Sequence, residues 1–221
     1  MPNAHPDLWQ RYQATKAAST AKYARDIAAE MGISEAELTA ARLGHDAVRL
    51  SDDARALIAA LENDWRAMTD VHQFFGLLRK YQLSRQQAFR LVSDDLACRV
   101  DRHALPSLLE TVRQEGNEIM IFVGNRGCVQ IFTGALEKLA PMRGWLNIFN
   151  TTFTLHLREE SLDEVWVTRK PTSDGHVTSV ELFAKDGTQI AQLYGQRSEG
   201  HPEQTQWRQQ VDRLTREGQP A

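Results

Sequence analysis

The sequence predicts an α+β protein, with an N-terminal helical section followed by a large antiparallel meander sheet and a C-terminal helix packed on that sheet. As far as Gln114, apolar residues recur at three- and four-residue spacing, which is typical of amphipathic helices. From Glu118 onward, short runs of β-branched and aromatic residues alternate with turn residues. Because a run of helices precedes a run of strands, we do not expect a doubly wound α/β fold.

The first section, residues 7 to about 62, predicts three or four short helices. Gly32 and Gly44 mark the ends of two of them, since glycine commonly follows the last helical residue. Ser34 followed by Glu37 fits a capping box, in which each residue satisfies a free backbone N–H at a helix start. The predicted helices are LWQRYQATKAA, AKYARDIAAEMG, SEAELTAARLG and SDDARALIAALE.

The helical pattern continues from Trp65 to Gln114. Pro106 fits the first turn of a helix, where the N–H that proline lacks would have no helical partner. The predicted helical runs are DVHQFFGLLRKYQ, SRQQAFRLVSDDLACRV and ALPSLLETVRQEG.

The second half of the chain predicts seven strands. Asp174-Gly175 and Asp186-Gly187 supply the positive φ that tight hairpins need, and Asn125-Arg126-Gly127 suits a short connection. We therefore expect a meander in which strands adjacent in sequence are adjacent in the sheet. The predicted strands are EIMIFVGN, CVQIFTGAL, WLNIFN, FTLHLRE, EVWVTRKP, VTSVELFAKDG and QIAQLYGQR.

A final helix is predicted over roughly residues 203–216. Its residues Trp207, Val211 and Leu214 share one face, which is the pattern of a helix packed on a sheet. We expect this apolar face to contact the sheet.

Composition narrows the class of protein. A hydrophobic content of 42% over 221 residues is enough to build a core. The formal net charge of −3 offers no broad basic field for nucleic acids or acidic membranes. Cys98 and Cys128 lack CxxC spacing and are expected to be reduced thiols. With no basic stretch before an apolar run and no window near the ~18 apolar residues of a membrane span, we expect a cytoplasmic protein.

Several of these runs resemble one known family. The segment from Trp65 to Trp207 resembles the C-terminal half of the HemS/HmuS/ChuS family, the cytoplasmic haem-trafficking and haem-degrading proteins of bacterial haem uptake. The opening stretch, from LWQRYQ to ARALIAALE, resembles the start of the same family. The most similar runs are DVHQFF, RQQAFRLVSDDLACRV, GNEIMIFVGNRGCVQIFTG, EVWVTRKPTSDG and QIAQLYGQR.

The chain departs from the family in its middle. Family members carry two repeats, each a helical section followed by a strand-rich section, whereas this chain has one strand-rich section and lacks the first sheet near residue 63. We therefore predict a helical section over 1–62 and a haem-binding repeat over 63–221. A natural single-repeat relative and an engineered internal deletion both remain open. A homodimer would supply a second sheet, and symmetric dimers are the commonest oligomers.

The resemblance implies haem (iron protoporphyrin IX) as the cofactor and His72 as the axial ligand of its iron. Neutral imidazole is a standard ligand of haem iron, but without the resemblance His72 would be taken for a structural or surface residue. Propionates need cationic or polar partners and the porphyrin needs apolar walls. By resemblance the pocket is lined by Arg85, Met120, Lys170, Gln192, Tyr194 and Arg197. The arginine and phenylalanine with which the family covers the opposite haem face have no counterpart here.

The residues alone allow less specific interpretations of these positions. Lys170 and Arg197 fit ordinary solvated charges at strand ends, and Arg85 fits a helix surface. Tyr194 and Gln192 alternate along one strand and so share a face, as half-buried sheet residues also do. No catalytic residue can be named. Among the other histidines, His156 in FTLHL is the best reserve ligand, and thiolate coordination by Cys98 or Cys128 is not favoured.

The family implies a protein that carries haem received from an uptake transporter, and then passes it to an acceptor such as a haem oxygenase or opens the ring. Ring opening would need NAD(P)H or another external electron donor, and whether the chain is an enzyme stays open. A helix-turn-helix regulator is the alternative, from ARDIAAEMGISEAELTAARLG. Its second helix holds Glu35 and Glu37 but only Arg42 as a base, so DNA is not an expected partner. A folded, shortened form that binds haem weakly is a third interpretation.

Overall fold

A computed structural model describes residues 11, 14–15, 28–29, 32 and 52–217. Apart from residues 11, 14–15, 28–29 and 32, the first three predicted helices lie outside the described residues, as does the capping box at Ser34. The chain divides into two compact units. One comprises residues 1–67 and 72–93, and the other comprises residues 68–71 and 94–221. The division expected after residue 62 stays a prediction, and that residue lies inside the first described helix.

The first unit contains three described helices, α1 (Asp52–Arg66), α2 (Gln73–Tyr81) and α3 (Arg85–Phe89). Its buried centre is aromatic: the ring of Trp65 lies 4.6 Å from that of Phe74 and 6.1 Å from that of Phe89. Edge-to-face pairs of this kind stabilise a core beyond the area that they bury. The apolar periodicity of α1 and α2 therefore reflects packing around these three rings.

The helix predicted over SRQQAFRLVSDDLACRV is shorter than expected. A capping box of Ser84 and Gln87 starts α3, with backbone N–H to side-chain distances of 3.2 and 2.9 Å, and α3 ends at Phe89. The helical prediction was wrong for Ala97–Val100, which form strand β1 and pair with β6. Pairing with a sheet edge outweighs weak local helical periodicity, because a strand gains ladder hydrogen bonds and burial together.

Over its described residues, 68–71 and 94–217, the second unit contains eight strands in two antiparallel sheets. Six strands form one sheet in the order β1-β6-β7-β8-β2-β3, and β4 and β5 form a separate hairpin. The remaining helices are α4 (Leu105–Glu115) and α5 (Thr205–Glu217), with short 3-10 turns at Arg102–Ala104 and Glu159–Ser161. The strands are β1 (Ala97–Val100), β2 (Ile119–Gly124), β3 (Val129–Gly134), β4 (Trp145–Phe149), β5 (Thr154–Arg158), β6 (Glu164–Thr172), β7 (Gly175–Phe183) and β8 (Gln189–Gly195).

The predicted α+β class is confirmed, with the seven expected strands and the C-terminal helix. Strand order by adjacency holds for β2-β3 and for β6-β7-β8, whose turns place Gly175 and Gly187 at φ +101° and +80°. It was wrong for β4 and β5, which leave the large sheet. Leu146, Ile148 and Leu157 of this hairpin are buried in the hydrophobic core, so the hairpin covers the sheet instead of extending it.

One face of the six-stranded sheet, which we call the packed face, is covered. Residues of α4, of α5 and of the β4-β5 hairpin share one hydrophobic core with it. Trp207 and Val211 are fully buried and Leu214 nearly so, which confirms the predicted apolar face of α5. The backbone of Gly195 lies against the ring of Trp207, where an added Cβ would be 2.7 Å from Cγ. The helix therefore approaches the sheet closely at a residue without a side chain.

Within the described part of the chain, no helix combines the length and apolar character that a membrane crossing requires.

Both cysteines are free thiols, with Cys98 half-buried and Cys128 exposed. Burial raises the pKa of the Cys98 thiol, against a smaller opposing effect of the Arg169 guanidinium. Cys98 is therefore held in its protonated, unreactive form.

Candidate functional site

The opposite face of the six-stranded sheet, which we call the polar face, carries four of the residues that the sequence nominated. Antiparallel registry places Met120 of β2 opposite Tyr194 of β8, and Tyr194 opposite Ser179 of β7. Cross-strand partners point to the same side of a sheet. Gln192 lies two residues before Tyr194, and Lys170 two residues after Thr168, which is opposite Ser179. Met120, Lys170, Gln192 and Tyr194 therefore share the polar face.

Exposure divides the polar face into two halves. At β6 and β7 its polar side chains are buried, with Lys170 2% exposed and Glu181 fully buried. At β8 and β2 the side chains of Tyr194, Gln192 and Met120 are half-buried. The open half thus combines a thioether, an amide and a phenol.

Aromatic and aliphatic groups complete the open half. The ring of Phe122 meets that of Tyr194 edge to face at 5.4 Å, and Phe122 lies opposite both Gln192 and Ile131. Ile131 of the edge strand β3 is 56% exposed. Exposed apolar side chains beside a few oriented polar groups are typical of binding sites for largely apolar ligands.

A continuous chain of hydrogen bonds joins the two halves. The Tyr194 hydroxyl donates to Oε1 of Gln192 over 3.1 Å, and Nε2 of Gln192 donates to Oε1 of Gln189 over 3.0 Å. Nε2 of Gln189 then donates to Oε2 of Glu181 over 2.8 Å. Each amide uses its oxygen on one side and its nitrogen on the other, so the direction of every donor is fixed. The phenolic hydrogen of Tyr194 therefore points along the sheet, toward Gln192.

Lys170 lies at the end of this series of hydrogen bonds, and the Glu181 carboxylate balances its charge. Its ammonium donates to Oε1 of Glu181 at 2.8 Å and to the hydroxyls of Thr168 and Ser179 at 2.5 and 3.3 Å. A buried ammonium requires such partners, because removing it from water without them is very costly. A ligand carboxylate that approaches Lys170 must compete with Glu181.

Arg197 lies two residues beyond β8. Its side chain is 24% exposed, and Nη1 lies 4.0 Å from Oδ2 of Asp174 in the β6-β7 turn. At this distance the pair is at the limit of a salt bridge, and partly exposed pairs contribute little. The guanidinium is consequently accessible to a competing anion.

His72 and Arg85 belong to the other compact unit. His72 is the N-cap residue of α2, where its carbonyl accepts from the backbone N–H of Phe75 at 3.3 Å, and its side chain is exposed. Phe75, three residues later, is 64% exposed. Residues at this spacing lie on one side of a helix start, so the imidazole and an exposed phenyl ring are neighbours on the surface of α2.

Arg85 is held by aromatic rings. Its guanidinium carbon lies 5.0 Å from the ring centre of Phe74, 5.8 Å from that of Phe75 and 5.9 Å from that of Phe89. Cation–π contacts of this kind fix a guanidinium without neutralising its charge. Arg85 is half-buried, so it is more constrained than the solvated helix-surface residue that its sequence context also allowed.

Sequence reasoning missed two members of the polar face, Glu181 and Gln189. Glu181 follows Ser179 by two residues in VTSVELF, and this alternation could have placed it on the same face as Ser179. Gln189 has no such signal. A β-bulge near Phe183 shifts the β7-β8 registry so that Gln189 lies opposite Phe183, on the side that carries Glu181. Strict alternation along β8 would put Gln189 on the side opposite Gln192.

The fold and the polar face define a class: α+β domains in which one antiparallel sheet is covered by helices on one face and carries a polar and aromatic band on the other. Residues 82–214 match the family model of the haemin-degrading HemS/ChuX domain. The chain belongs to this family.

Individual relatives agree with that assignment. HmuS, a hemin transport protein of Yersinia pestis, is 41% identical over 334 aligned positions, covering 94% of this chain and 97% of the relative. ChuS, an Escherichia coli heme oxygenase, superposes with a TM-score of 0.69 at 70% identity over 71% of this chain and 48% of ChuS. Apo-PhuS, a heme-binding protein from Pseudomonas aeruginosa, gives 0.70 at 41% identity over 71% of this chain and 46% of PhuS.

Lengths show how the chain differs from these relatives. In both superpositions the chain spans about half of the solved protein. The alignment to HmuS has more positions than the 221 residues of this chain, yet it covers nearly all of both sequences. A long internal segment of HmuS therefore has no counterpart here. That this segment is the first strand-rich section stays a prediction.

Proposed function

We propose that this protein binds haem and carries it within a bacterial haem-uptake pathway. The observation that carries the proposal is membership of the haemin-degrading domain family, whose model covers residues 82–214. The relatives HmuS and PhuS are a hemin transport protein and a heme-binding protein. The cytoplasmic location expected from the sequence stays a prediction.

The polar face supports the proposal chemically. Met120, Phe122 and Ile131 offer apolar contact to a porphyrin, while Gln192 and Tyr194 offer oriented polar groups. Arg197, with its weak partner, is available to a propionate. In this proposal Lys170 acts mainly by holding Glu181 and the hydrogen-bonded chain in place. Arg85 is proposed as a fixed cation of the unit that also carries His72.

His72 is the proposed ligand of the iron. Its exposed imidazole at the start of α2 is accessible to a metal, and haem iron needs a single protein nitrogen. The exposed ring of Phe75 beside it offers apolar contact to a flat ligand.

The test is a haemin titration of the wild-type protein and of His72→Ala, followed by the Soret band. We expect the variant to lose the imidazole-ligated spectrum and to bind haemin at least about tenfold more weakly, since a ligand bond outweighs a single outer contact. His103→Ala is the matched control, because His103 is also exposed and has no proposed role. Identical titrations of wild type and His72→Ala would show that another group ligates the iron.

Breakdown of haem is a second candidate function, favoured by the family description and by ChuS, a heme oxygenase. Oxidative opening of the ring requires dioxygen as the oxidant together with an external electron donor such as NAD(P)H through a reductase. The measurement is loss of the Soret band together with released iron, after a reductant is added to the haemin-loaded protein. If the spectrum is stable and no iron is released, the protein carries haem without breaking it down.

Protein partners follow from carriage. We propose a haem-uptake transporter as the donor and a haem oxygenase as an acceptor if the chain does not itself open the ring. We also propose a homodimer, in which a second copy supplies the sheet that this chain is expected to lack.

A further inference from the structure

The β4-β5 hairpin carries a surface patch that the proposed site does not use. Because strand residues alternate, Leu146, Ile148 and Leu157 enter the core, while Trp145, Phe149 and His156 lie on the other side of the hairpin. Met142, which bridges to Trp145, is 59% exposed and Trp145 is 41% exposed. We define the hairpin patch as Met142, Arg143, Trp145, Phe149 and His156.

The imidazole of His156 is held in one tautomer. Nδ2 of Asn147, which is buried, donates to the carbonyl of Ala140 at 2.7 Å and to that of Trp145 at 3.4 Å. The amide is therefore oriented, and its Oδ1 lies 2.7 Å from Nδ1 of His156. An amide oxygen can only accept, so Nδ1 must carry the hydrogen.

In the neutral form of the ring, this arrangement puts the free lone pair of His156 on Nε2. The side chain is exposed. Within residues 52–217 it bonds to Asn147 and makes a T-shaped contact with the ring of Phe149, whose centre lies 5.6 Å from that of the imidazole. A histidine that donates its Nδ1–H to an oxygen is oriented as histidine ligands of metals usually are. The hairpin thus presents a preoriented nitrogen ligand to solvent.

The residues around His156 indicate which kind of metal this nitrogen could bind. A structural divalent cation needs three or four protein ligands, and no cluster of three or more His, Cys, Asp or Glu suited to a metal occurs among the described residues. A metal whose other coordination positions are already occupied needs only one nitrogen ligand from the protein. Haem iron in its porphyrin is such a metal, and Trp145, Phe149 and Met142 offer apolar contact for the ring.

Arg143 complements the acidic side of such a ligand. It lies in the tight turn closed by reciprocal hydrogen bonds between Met142 and Trp145, at 2.8 and 3.0 Å. Its side chain is exposed and makes no hydrogen bond or ion pair within residues 52–217. A guanidinium in this position can pair with a propionate carboxylate.

We infer that the hairpin patch is a second, solvent-open docking site for haemin, with Nε2 of His156 as the iron ligand. The choice of haemin rests on the proposed function. The site is separate from the polar face, because the core lies between them: the hairpin covers the packed face of the same unit. His156 therefore cannot serve a haem that is held on the polar face.

The experiment is a haemin titration of wild type, His72→Ala, His156→Ala and the double variant, with the number of equivalents and the Soret spectrum recorded. We expect wild type to bind two equivalents, and each single variant to lose a different one. Asn147→Ala should weaken the His156-dependent equivalent by about tenfold, because the tautomer is no longer fixed. Metal-free protoporphyrin IX should not distinguish wild type from His156→Ala, since it offers no iron to ligate.

The outcomes separate the two ideas. If His156→Ala titrates like wild type in number and spectrum, the second site is wrong and the proposed function is untouched. If His72→Ala titrates like wild type while His156→Ala loses an equivalent, the second site stands and His72 is not a ligand. Should His156→Ala fail to fold, modification of wild-type His156 by diethyl pyrocarbonate decides instead, since bound haemin must protect Nε2; an equal rate with and without haemin rejects the site.

Discussion

Lys170 and Glu181 form a fully desolvated ion pair on the polar face, with the Lys170 nitrogen 2.8 Å from Oε1 of Glu181. Breaking such a pair from one side leaves a buried charge without its counter-ion. We expect Glu181→Leu to lower the free energy of unfolding by about 3–5 kcal/mol, measured by urea denaturation. The double variant Lys170→Met/Glu181→Leu is the control and should regain most of the loss. A double variant as unstable as the single one would show that packing, not charge, causes the effect.

His176 gives the protein a predicted sensitivity to acid. Partial burial lowers its pKa below the ordinary 6.5, and the guanidinium groups of Arg208 and Arg169 lower it further, against a smaller opposing effect of Asp212. The unfolded chain therefore takes up this proton first, so the contribution of His176 to stability is present above pH 6.5 and is lost as the pH falls below it. Urea unfolding at pH 7 and pH 5 should show a smaller decrease for His176→Gln than for wild type. An equal decrease in both proteins would assign the acid sensitivity to other groups.

Residue identity predicted much of the polar face but not its connections. Alternation in QIAQLYGQ places Gln192 and Tyr194 on one side, as the structure has them. It cannot give the bulge that turns Gln189 to that side, because a bulge depends on the registry with β7. The capping box at Ser84 is local and could have been found from Ser84 and Gln87 alone.

Among the elements, α5 tests how closely a helix can approach a sheet. An added Cβ at Gly195 would lie 2.7 to 2.9 Å from three side-chain atoms of Trp207, which is fully buried and cannot move freely. We expect Gly195→Ala to cost about 1–3 kcal/mol of stability through overpacking, measured by thermal or urea unfolding.

Gly76→Ala is the matched control for that substitution. A Cβ at Gly76 in α2 meets no atom within 4 Å, so this change should be neutral or stabilise the protein by up to about 1 kcal/mol. If both variants lose stability equally, the contact with Trp207 is not the cause. The difference between the two glycines comes from tertiary packing, which the sequence does not display.

Some secondary-structure elements could be predicted from the sequence pattern and others could not. The strands from β2 to β8 and helix α5 follow from alternation, turn residues and one apolar face. β1 does not, since Ala97–Val100 is too short for a period to be recognised and owes its strand to β6. Likewise, the departure of β4-β5 from the sheet depends on where Leu146, Ile148 and Leu157 find apolar cover.

At the scale of the whole molecule, the chain lacks a long internal segment of HmuS. The oligomeric state therefore tests whether a second copy of the chain replaces it. If a second copy supplies the missing sheet, native mass spectrometry of the haemin-loaded protein should give twice the mass of one chain plus haem. The apo protein, measured at the same concentration, is the comparison. A haemin-loaded monomer would show that one strand-rich section is sufficient for binding.

The order of the six-stranded sheet has a consequence for how the chain is made. On the ribosome β2 and β3 emerge early, yet β2 completes its pairing only with β8, where Ile119 meets Gly195. β1 likewise can pair only after β6 has been translated. Until the last strand has been translated, the nascent chain exposes the edge of β2 that later pairs with β8. Prematurely terminated chains should therefore be the species that chaperones retain.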